Sequence, residues 1–348
     1  MFSRIIIEIC FGEDLEDILL PIERSDGSVL HLSIANSLRV TFQDLFLKAG
    51  HPIRAFVDNL WRFALNAEER QTRRNALLIR DFITKYIRDR VAGKNKSSVK
   101  ENADLLSHLL ANEYFAERES LIVDEIVDFF IASTQTTANG IAHLLMKMVQ
   151  NPHCNKQMVE EIQNVIIEPY LEEEKPAGDK VDIKAAFAPE RVENMEFFEK
   201  VFKEVLRLDP AAGQALAPRV MTRDERLGQV NLRKGDTVMV HYWGTHHNPE
   251  EWQRPSEFLP ERWDPKSPLY LTPKGTKRHH YSFTPFAGGD RVCFGKTFAA
   301  YSSKTVASII LHSFDFEFVD KKWMNQTPWF NIITSYDEVV HVKATPKM

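Results

Sequence analysis

The sequence has few cysteines and no long apolar run, and both features exclude classes of protein. Its three cysteines, Cys10, Cys154 and Cys293, lie far apart and include no CxxC pair. This pattern argues against a disulfide framework and a zinc site, and it is typical of a reducing compartment. The longest apolar stretches, such as Ile5–Ile7 and Phe129–Ala132, are much shorter than the roughly 20 residues that span a bilayer. The sequence therefore predicts neither a membrane segment nor a signal peptide.

Neither sign of charge dominates the sequence. Its 44 basic and 49 acidic side chains are well mixed and give a formal net charge of -5. Charge alone therefore gives no reason to expect a nucleic-acid partner or an anionic lipid surface. The composition, with 43% hydrophobic and 11% aromatic residues, can form a sizeable core. The length of 348 residues fits two ordinary domains or one large α-rich domain.

The periodicity divides the chain into three parts. Apolar residues recur at three- and four-residue spacings in the first part, which predicts a helical bundle over residues 1–210. Strand-like runs and many prolines follow over residues 211–295, where we expect a long meander. The pattern over the last part, residues 296–348, predicts the body of a helix and then two strands. Together the three parts predict a fold that is mainly α with small β-sheets. The predicted helices lie near residues 1–20, 28–48, 51–65, 70–92, 101–115, 119–150, 152–170, 193–208 and 294–313, and the predicted tail strands are Asp315–Val319 and Val339–Ala344.

One glycine-rich segment, Phe286–Gly295, contains the most informative residues, and helix-forming residues follow it at once. Its glycines allow the backbone to approach a flat ligand closely. Cys293 opens the helix, and the N-terminal end of a helix dipole favours a thiolate, which can hold a metal ion. A buried structural cysteine beside a glycine turn is the plain alternative for a single cysteine.

The segment resembles the heme-binding signature of the cytochromes P-450, F-x-x-G-x-R-x-C-x-G, at all of its fixed positions. These positions are Phe286, Gly289, Arg291, Cys293 and Gly295. The resemblance implies the cytochrome P-450 fold, a heme b (iron protoporphyrin IX) cofactor, and Cys293 as the axial ligand of its iron. A thiolate at that position donates electron density and favours O–O cleavage.

Further motifs of the same family follow in the expected order. Glu204 and Arg207 have the i,i+3 spacing that allows pairing on a helix, although such pairs occur on most exposed helices. Together with Arg262 they resemble the family's E-x-x-R helix and P-E-R-W meander, which implies a buried ion network with a structural role. By the same resemblance Arg219 and Arg291 bind the heme propionates. An ordinary surface arginine is the alternative for Arg219.

The helix predicted over Leu121–Gln150 contains a polar cluster, Ala132–Thr137. Serine and threonine in such a cluster can bond back to carbonyls of the preceding turn. Aligned with the family, the cluster implies that Thr136 is the catalytic residue whose hydroxyl helps to deliver protons during oxygen activation. Gln135 and Ser133 depart from the family pattern, which has an acid and a glycine there. Because a neutral amide cannot exchange a proton as a carboxylate does, proton relay through Gln135 is expected to be weaker.

Two adjacent histidines, His246 and His247, lie between these motifs. Their spacing is not that of metal ligands, and the family has no iron ligand there. The sequence therefore favours a structural role for both.

The resemblance implies a monooxygenase that inserts one atom of O2 into an apolar organic substrate. The chain has no GxGxxG motif, so electrons are expected from a partner, by resemblance an NADPH-dependent flavoprotein reductase. Two alternatives remain open: a heme-thiolate hydroperoxide isomerase or dehydratase, which Gln135 weakly favours, and a truncated non-catalytic remnant. Turnover of a fatty-acid hydroperoxide without NADPH distinguishes the isomerase or dehydratase from the monooxygenase.

The resemblance covers nearly the whole chain but not the N-terminal portion of the family. The fold is therefore expected to be N-terminally incomplete. In eukaryotic members that portion carries a membrane anchor. For the full-length family member the resemblance implies the cytosolic face of the endoplasmic reticulum membrane, with membrane association only through the missing portion.

Overall fold

The computed structural model describes most of the chain, in two compact units. One unit comprises Met1–Gln135 and the other Thr136–Met348. The helix predicted at 51–65 lies outside the described residues. The described residues are 2–49, 66–98, 104–174, 181–213, 218–328 and 339–347.

The first unit is mostly helical, and side-chain caps explain where two of its helices begin. Asn66 accepts a hydrogen bond from the N–H of Glu69, and Asp104 accepts one from the N–H of Ser107. A cap of this kind stabilises a helix by about 1 kcal/mol. The elements of the unit are α1 (Phe2–Phe11), β1 (Leu19–Glu23), β2 (Val29–Ser33), α2 (Ile34–Ala49), α3 (Ala67–Val91), α4 (Leu105–Ala111) and the first half of α5 (Glu119–Gln150).

The N-terminal helix is shorter than predicted. α1 ends at Phe11 rather than near residue 20, because Gly12 has a φ of +70° and leaves the helical region. A Cβ at Gly12 would lie 2.1 Å from Oγ of Ser97, so no larger residue fits there. The prediction of one continuous helix over 1–20 is therefore wrong.

A β-hairpin, which the periodicity did not predict, separates α1 from α2. β1 pairs antiparallel with β2, and Ile22 lies opposite Leu30. Gly27, with a φ of +81°, lies in the turn between them, where a residue without a Cβ is favoured. The hairpin takes up the first residues of the predicted helix 28–48, so α2 begins only at Ile34.

The second unit combines helices with short strands and single 3-10 turns. After the second half of α5, its helices are α6 (Pro152–Ile162), a π-helical turn (Gln163–Ile167), α7 (Glu168–Glu174), α8 (Ile183–Ala186), α9 (Pro189–Val192), α10 (Glu196–Leu208), α11 (Tyr242–His246) and α12 (Lys296–Ser313). Its strands are β3 (Arg219–Val220), β4 (Glu225–Leu227), β5 (Val230–Leu232), β6 (Thr237–Val238), β7 (Phe314–Phe318) and β8 (Val342–Pro346).

The sheets of the second unit are small. Within the described residues β3 pairs with β6, β4 with β5 and β7 with β8, each as an antiparallel two-stranded sheet. The fold is thus mainly α with small β-sheets, which confirms the predicted class. Over the same residues, none of the helices combines the length and the apolar character needed to cross a bilayer.

Helix α10 lies in the core of the second unit, and its neighbours fix its N-terminal end. The carboxylate of Glu161 in α6 accepts hydrogen bonds from the N–H groups of Phe197 and Phe198, at 2.6 and 2.8 Å. These two donors would otherwise lack a partner in the first turn of the helix. Nζ of Lys304 in α12 lies 3.4 Å from the carbonyl oxygen of Glu193, just before α10. α12, which follows the cysteine-containing segment, is thereby held beside α10.

Candidate active site

Residues 286–295, called the Cys293 loop below, form a turn that ends directly at α12. The N–H of Cys293 donates to the carbonyl of Phe286 over 2.8 Å, which closes the turn. The carbonyl of Cys293 accepts from the N–H of Lys296, the first residue of α12, over 3.3 Å. Gly289–Arg291 form a single 3-10 turn between them. The backbone therefore fixes Cys293 at the N-terminal end of α12.

Cys293 differs from the other two cysteines in its exposure. All three are described: Cys10 is buried, Cys154 is half-buried and Cys293 is exposed. Burial raises the pKa of the Cys10 thiol, and burial together with the carboxylate of Glu261 raises that of Cys154. Cys293, by contrast, lies just before the first turn of α12. It is therefore the most accessible of the three cysteines.

The surroundings of Cys293 fit a flat apolar ligand with acidic groups, such as heme. The apolar side chains of Val292 and Phe294 are 50% and 79% exposed. A Cβ at Gly295 would lie 3.7 Å from Sγ of Cys293, so the glycine leaves that side of the sulfur open. Arg291, two residues from the thiol, is exposed. A sulfur ligand, apolar contacts and a guanidinium for a propionate are the groups that heme binding requires.

The other residues predicted to bind the cofactor lie in the first half of the loop and on strand β3. Phe286 is half-buried, and Gly289 has a φ of +64°, a conformation that favours glycine. Arg219 lies on β3 and is exposed. Burial raises the pKa of Tyr242, and the positive charge of Arg219 opposes that rise, so the guanidinium lies near this phenol.

The Cys293 loop also contains a strained residue that the sequence did not reveal. Ala287 has a φ of +62°, where its Cβ is crowded. Ala287→Gly is expected to raise the free energy of unfolding by about 0.5–1 kcal/mol, because the relief of strain exceeds the added freedom of the unfolded chain. Denaturant unfolding of both proteins measures this difference.

The matched control is Ala300→Gly, in the interior of α12. There the same exchange is expected to lower the free energy of unfolding by about 1 kcal/mol, because a helical backbone favours alanine. Opposite signs for the two variants are the expected result. Destabilisation by Ala287→Gly would show that the left-handed backbone at this position is not strained.

Glu204, Arg207 and Arg262 lie together, and each is 0% exposed. Nη2 and Nε of Arg207 donate to the two carboxylate oxygens of Glu204, both over 2.9 Å, and Nε of Arg262 donates to Oε1 over 3.0 Å. The indole N–H of Trp263 and the backbone N–H of Leu259 complete the set at 3.1 and 3.0 Å. A fully desolvated carboxylate is thus surrounded by donors, two of them cationic.

The two arginines extend from this carboxylate to backbone carbonyls of the meander. Nη1 of Arg207 donates to the carbonyls of His246 and Pro255, at 3.0 and 2.7 Å. Arg262 donates to the carbonyls of Gln253 and Arg254. The arginines that bind these carbonyls also bind Glu204 of α10. The network therefore fixes the path of the chain between α11 and residue 263.

A third arginine of the meander was not identified from the sequence. The guanidinium of Arg278 lies 4.4 Å from the ring centre of Trp252 and 5.7 Å from that of Trp263. It also donates to the carbonyls of Leu269 and Arg262, both over 2.8 Å. In the sequence Arg278 lies in a basic stretch that is typical of a surface, and no spacing indicates its contact with the two tryptophan rings.

The polar cluster of the long helix lies in the middle of α5. Oγ of Ser133 donates to the carbonyl of Phe129 over 2.6 Å, which is the back-bonding expected for serine in a helix. The hydroxyl of Thr134 is buried and has no hydrogen-bond partner among the described residues. Gln135 and Thr136 follow and are half-buried. Ser133 is therefore engaged with its own helix.

A buried ion pair ties the second half of α5 to the end of α10. Nζ of Lys147 lies 2.9 Å from Oδ2 of Asp209, and the two side chains are 7% and 2% exposed. The contact joins opposite charges, although Oδ2 makes no hydrogen bond of normal geometry with any described residue. Nδ1 of His143 lies 3.0 Å from the carbonyl oxygen of Asp209, and burial lowers the pKa of this histidine.

Asp209→Asn is expected to lower the free energy of unfolding by about 3 kcal/mol, because the ammonium of Lys147 stays buried without its counter-charge. Denaturant unfolding measures the loss. Asp264→Asn is the matched control, since Asp264 pairs with Lys200 at 2.8 Å but both side chains are about one-third exposed, at 34% and 30%. A much smaller loss is expected there because water screens the pair. Equal losses in the two variants would contradict the role given to burial.

The sequence of the chain matches one family model and is similar to many curated proteins. A family model described as Cytochrome P450 matches residues 1–338. The protein named Probable cytochrome P450 4aa1 of Drosophila melanogaster is 29% identical over 259 residues, which are 73% of this chain and 45% of the relative. Taurochenodeoxycholic 6 alpha-hydroxylase of Sus scrofa is 30% identical over 75% of this chain and 49% of its own length. Cytochrome P450 71A6 of Nepeta racemosa is 27% identical over 81% and 53%. The chain spans about half the length of these curated relatives.

Proposed function

The chain belongs to the cytochrome P450 family, and we propose that it is a heme-thiolate monooxygenase with Cys293 as the axial ligand of the iron. The proposal is carried by the exposed thiol of Cys293 at the start of α12, in a loop whose apolar side chains Val292 and Phe294 are also exposed. A bound heme would supply activation of O2 and insertion of one oxygen atom into an apolar organic substrate.

The remaining residues of the loop have roles in binding and shape. The forked guanidinium groups of Arg291 and Arg219 each bind a propionate. Phe286 and Gly289 give the loop its turn, and Gly295 leaves space at the sulfur. The network of Glu204, Arg207 and Arg262 is structural and holds the meander that leads into the loop.

Thr136 is the residue proposed to handle protons. Its hydroxyl both donates and accepts a hydrogen bond, so it can pass a proton from water to a reacting oxygen. Gln135 beside it orients water through its amide without exchanging a proton. Electrons come from an NADPH-dependent flavoprotein reductase, because the chain has no GxGxxG motif of its own. We also propose that the protein lies at the cytosolic face of the endoplasmic reticulum membrane.

The test is the optical spectrum of the purified protein, reconstituted with heme, reduced with dithionite and exposed to carbon monoxide. A strongly red-shifted Soret band, typical of a thiolate ligand, is the expected result. Bound heme with an unshifted band would overturn Cys293 as the ligand. Failure of the chain to bind heme at all would overturn the enzyme assignment for this chain.

A further inference from the structure

His246, for which the sequence predicts only a structural role, contacts the segment that leads into the Cys293 loop. The residue ends α11 and is 0% exposed. Its Nε2 accepts a hydrogen bond from the backbone N–H of Thr284 over 2.9 Å. Thr284 lies two residues before Phe286, whose carbonyl in turn accepts from the N–H of Cys293. One hydrogen bond joins the imidazole to residue 284, and a second joins residue 286 to the cysteine. The short stretch of chain from 284 to 286 connects the two.

The other side of His246 is attached to the ion network. Its carbonyl accepts a hydrogen bond from Nη1 of Arg207 over 3.0 Å. Its ring lies 5.3 Å from the ring of Phe283, and Phe283 lies 4.6 Å from the ring of Trp263, which itself donates to Glu204. The backbone before the loop is thus held at two successive residues, 283 by aromatic packing and 284 by the imidazole.

The buried imidazole has the protonation state that this contact needs. Burial and then the positive charge of Arg207 lower the pKa of His246 to about 3, so the ring is neutral at ordinary pH. Because Nε2 accepts, the proton is on Nδ1. Nδ1 forms no hydrogen bond of normal geometry with a described residue. Nε2 therefore remains an acceptor at any pH well above about 3.

We propose that His246 is a positioning residue, whose Nε2 holds the backbone of Thr284 and thereby sets the place of the Cys293 sulfur at the heme iron. The inference rests on the proposed function. The N–H of Thr284 would be left without this acceptor if the imidazole were removed. The expected consequence is a displaced sulfur in a protein that still folds, because a thiolate ligand depends on the geometry of its surroundings.

Two amide variants of His246 test whether the position of the acceptor atom matters, since both keep a polar side chain. Glutamine at residue 246 can bring its Oε1 close to the place of Nε2, whereas asparagine is one methylene too short to reach Thr284. His247→Asn is the matched control, since Nδ1 of His247, the residue after α11, contacts the carbonyl of Trp243 within that helix, at 2.8 Å. If His246→Asn does not fold, His246→Leu takes its place, because leucine brings no second polar group into the core.

The first measurement is hydrogen exchange at the amide of Thr284, with or without heme. His246→Asn is expected to lower protection there by roughly ten-fold, while His246→Gln and His247→Asn stay near the wild type. The second is the reduced carbon monoxide spectrum at equal heme content. His246→Asn is expected to show most of its absorbance at shorter wavelength, and His246→Gln is expected to restore the red-shifted band.

The outcomes distinguish the inference from the proposed function. If the wild type itself shows no red-shifted band, the proposed function fails, and with it the role of His246 towards a heme. If the wild type shows the band and His246→Asn keeps it in full, the positioning role is overturned whether or not Thr284 loses protection. Unchanged protection of Thr284 in His246→Asn would also overturn it, because the contact would then not hold the backbone.

Discussion

Replacing Cys293 by serine is expected to abolish the red-shifted Soret band of the reduced carbon monoxide complex. A serine hydroxyl stays protonated even at a helix N-terminal end, so the anionic sulfur ligand is lost without a change in side-chain size. The spectra of the wild type and Cys293→Ser, recorded at equal heme content, measure the effect. A red-shifted band that persists in Cys293→Ser would rule out this cysteine as the ligand.

Cys154→Ser is the control for the loss of a sulfur atom. Cys154 is half-buried, and burial and the carboxylate of Glu261 raise the pKa of its thiol. It therefore remains protonated at neutral pH and cannot compete for the iron. The red-shifted band is expected to be unchanged in this variant. Loss of the band in both variants would indicate that the spectrum reports general stability rather than ligation.

Elements with a regular local pattern could be predicted from the sequence. The helix near 193–208 was predicted from its apolar periodicity, and the structure forms α10 at Glu196–Leu208. The tail strands were predicted from short apolar runs, and β7 and β8 lie close to the predicted ranges. The mainly α fold with small sheets is confirmed, as is the family. The helices and strands depend on residues that are close together in the chain, so the pattern of a single sequence is enough to predict them.

Features that depend on distant residues could not be predicted. The periodicity predicts helix over part of the hairpin of β1 and β2, because five-residue strands are too short to show a clear alternation of apolar and polar residues. The positive φ of Ala287 is a property of the closed Cys293 loop. His246 and Thr284 are 38 residues apart in the sequence, and only the fold brings them into contact. No local spacing encodes such a pair.

Glu204→Gln is expected to lower the free energy of unfolding by about 3–5 kcal/mol. The carboxylate neutralises two guanidinium groups, those of Arg207 and Arg262, in a place where all three side chains are 0% exposed. Glutamine keeps the shape but leaves both cations buried, and it turns an NH2 group towards one of them. Denaturant unfolding gives the loss of stability, and the carbon monoxide spectrum of the folded fraction reports whether the Cys293 loop is displaced as well.

Glu257→Gln is the matched control, because Glu257 also pairs with an arginine at a three-residue spacing. Its partner is Arg254, and the side chains are 51% and 55% exposed, so water already solvates both charges. Removal of this carboxylate is expected to change stability little, since an exposed pair contributes little. A loss for Glu204→Gln no larger than that for Glu257→Gln would mean that the buried cations have found other partners. The ion network would then not be what holds the meander to α10.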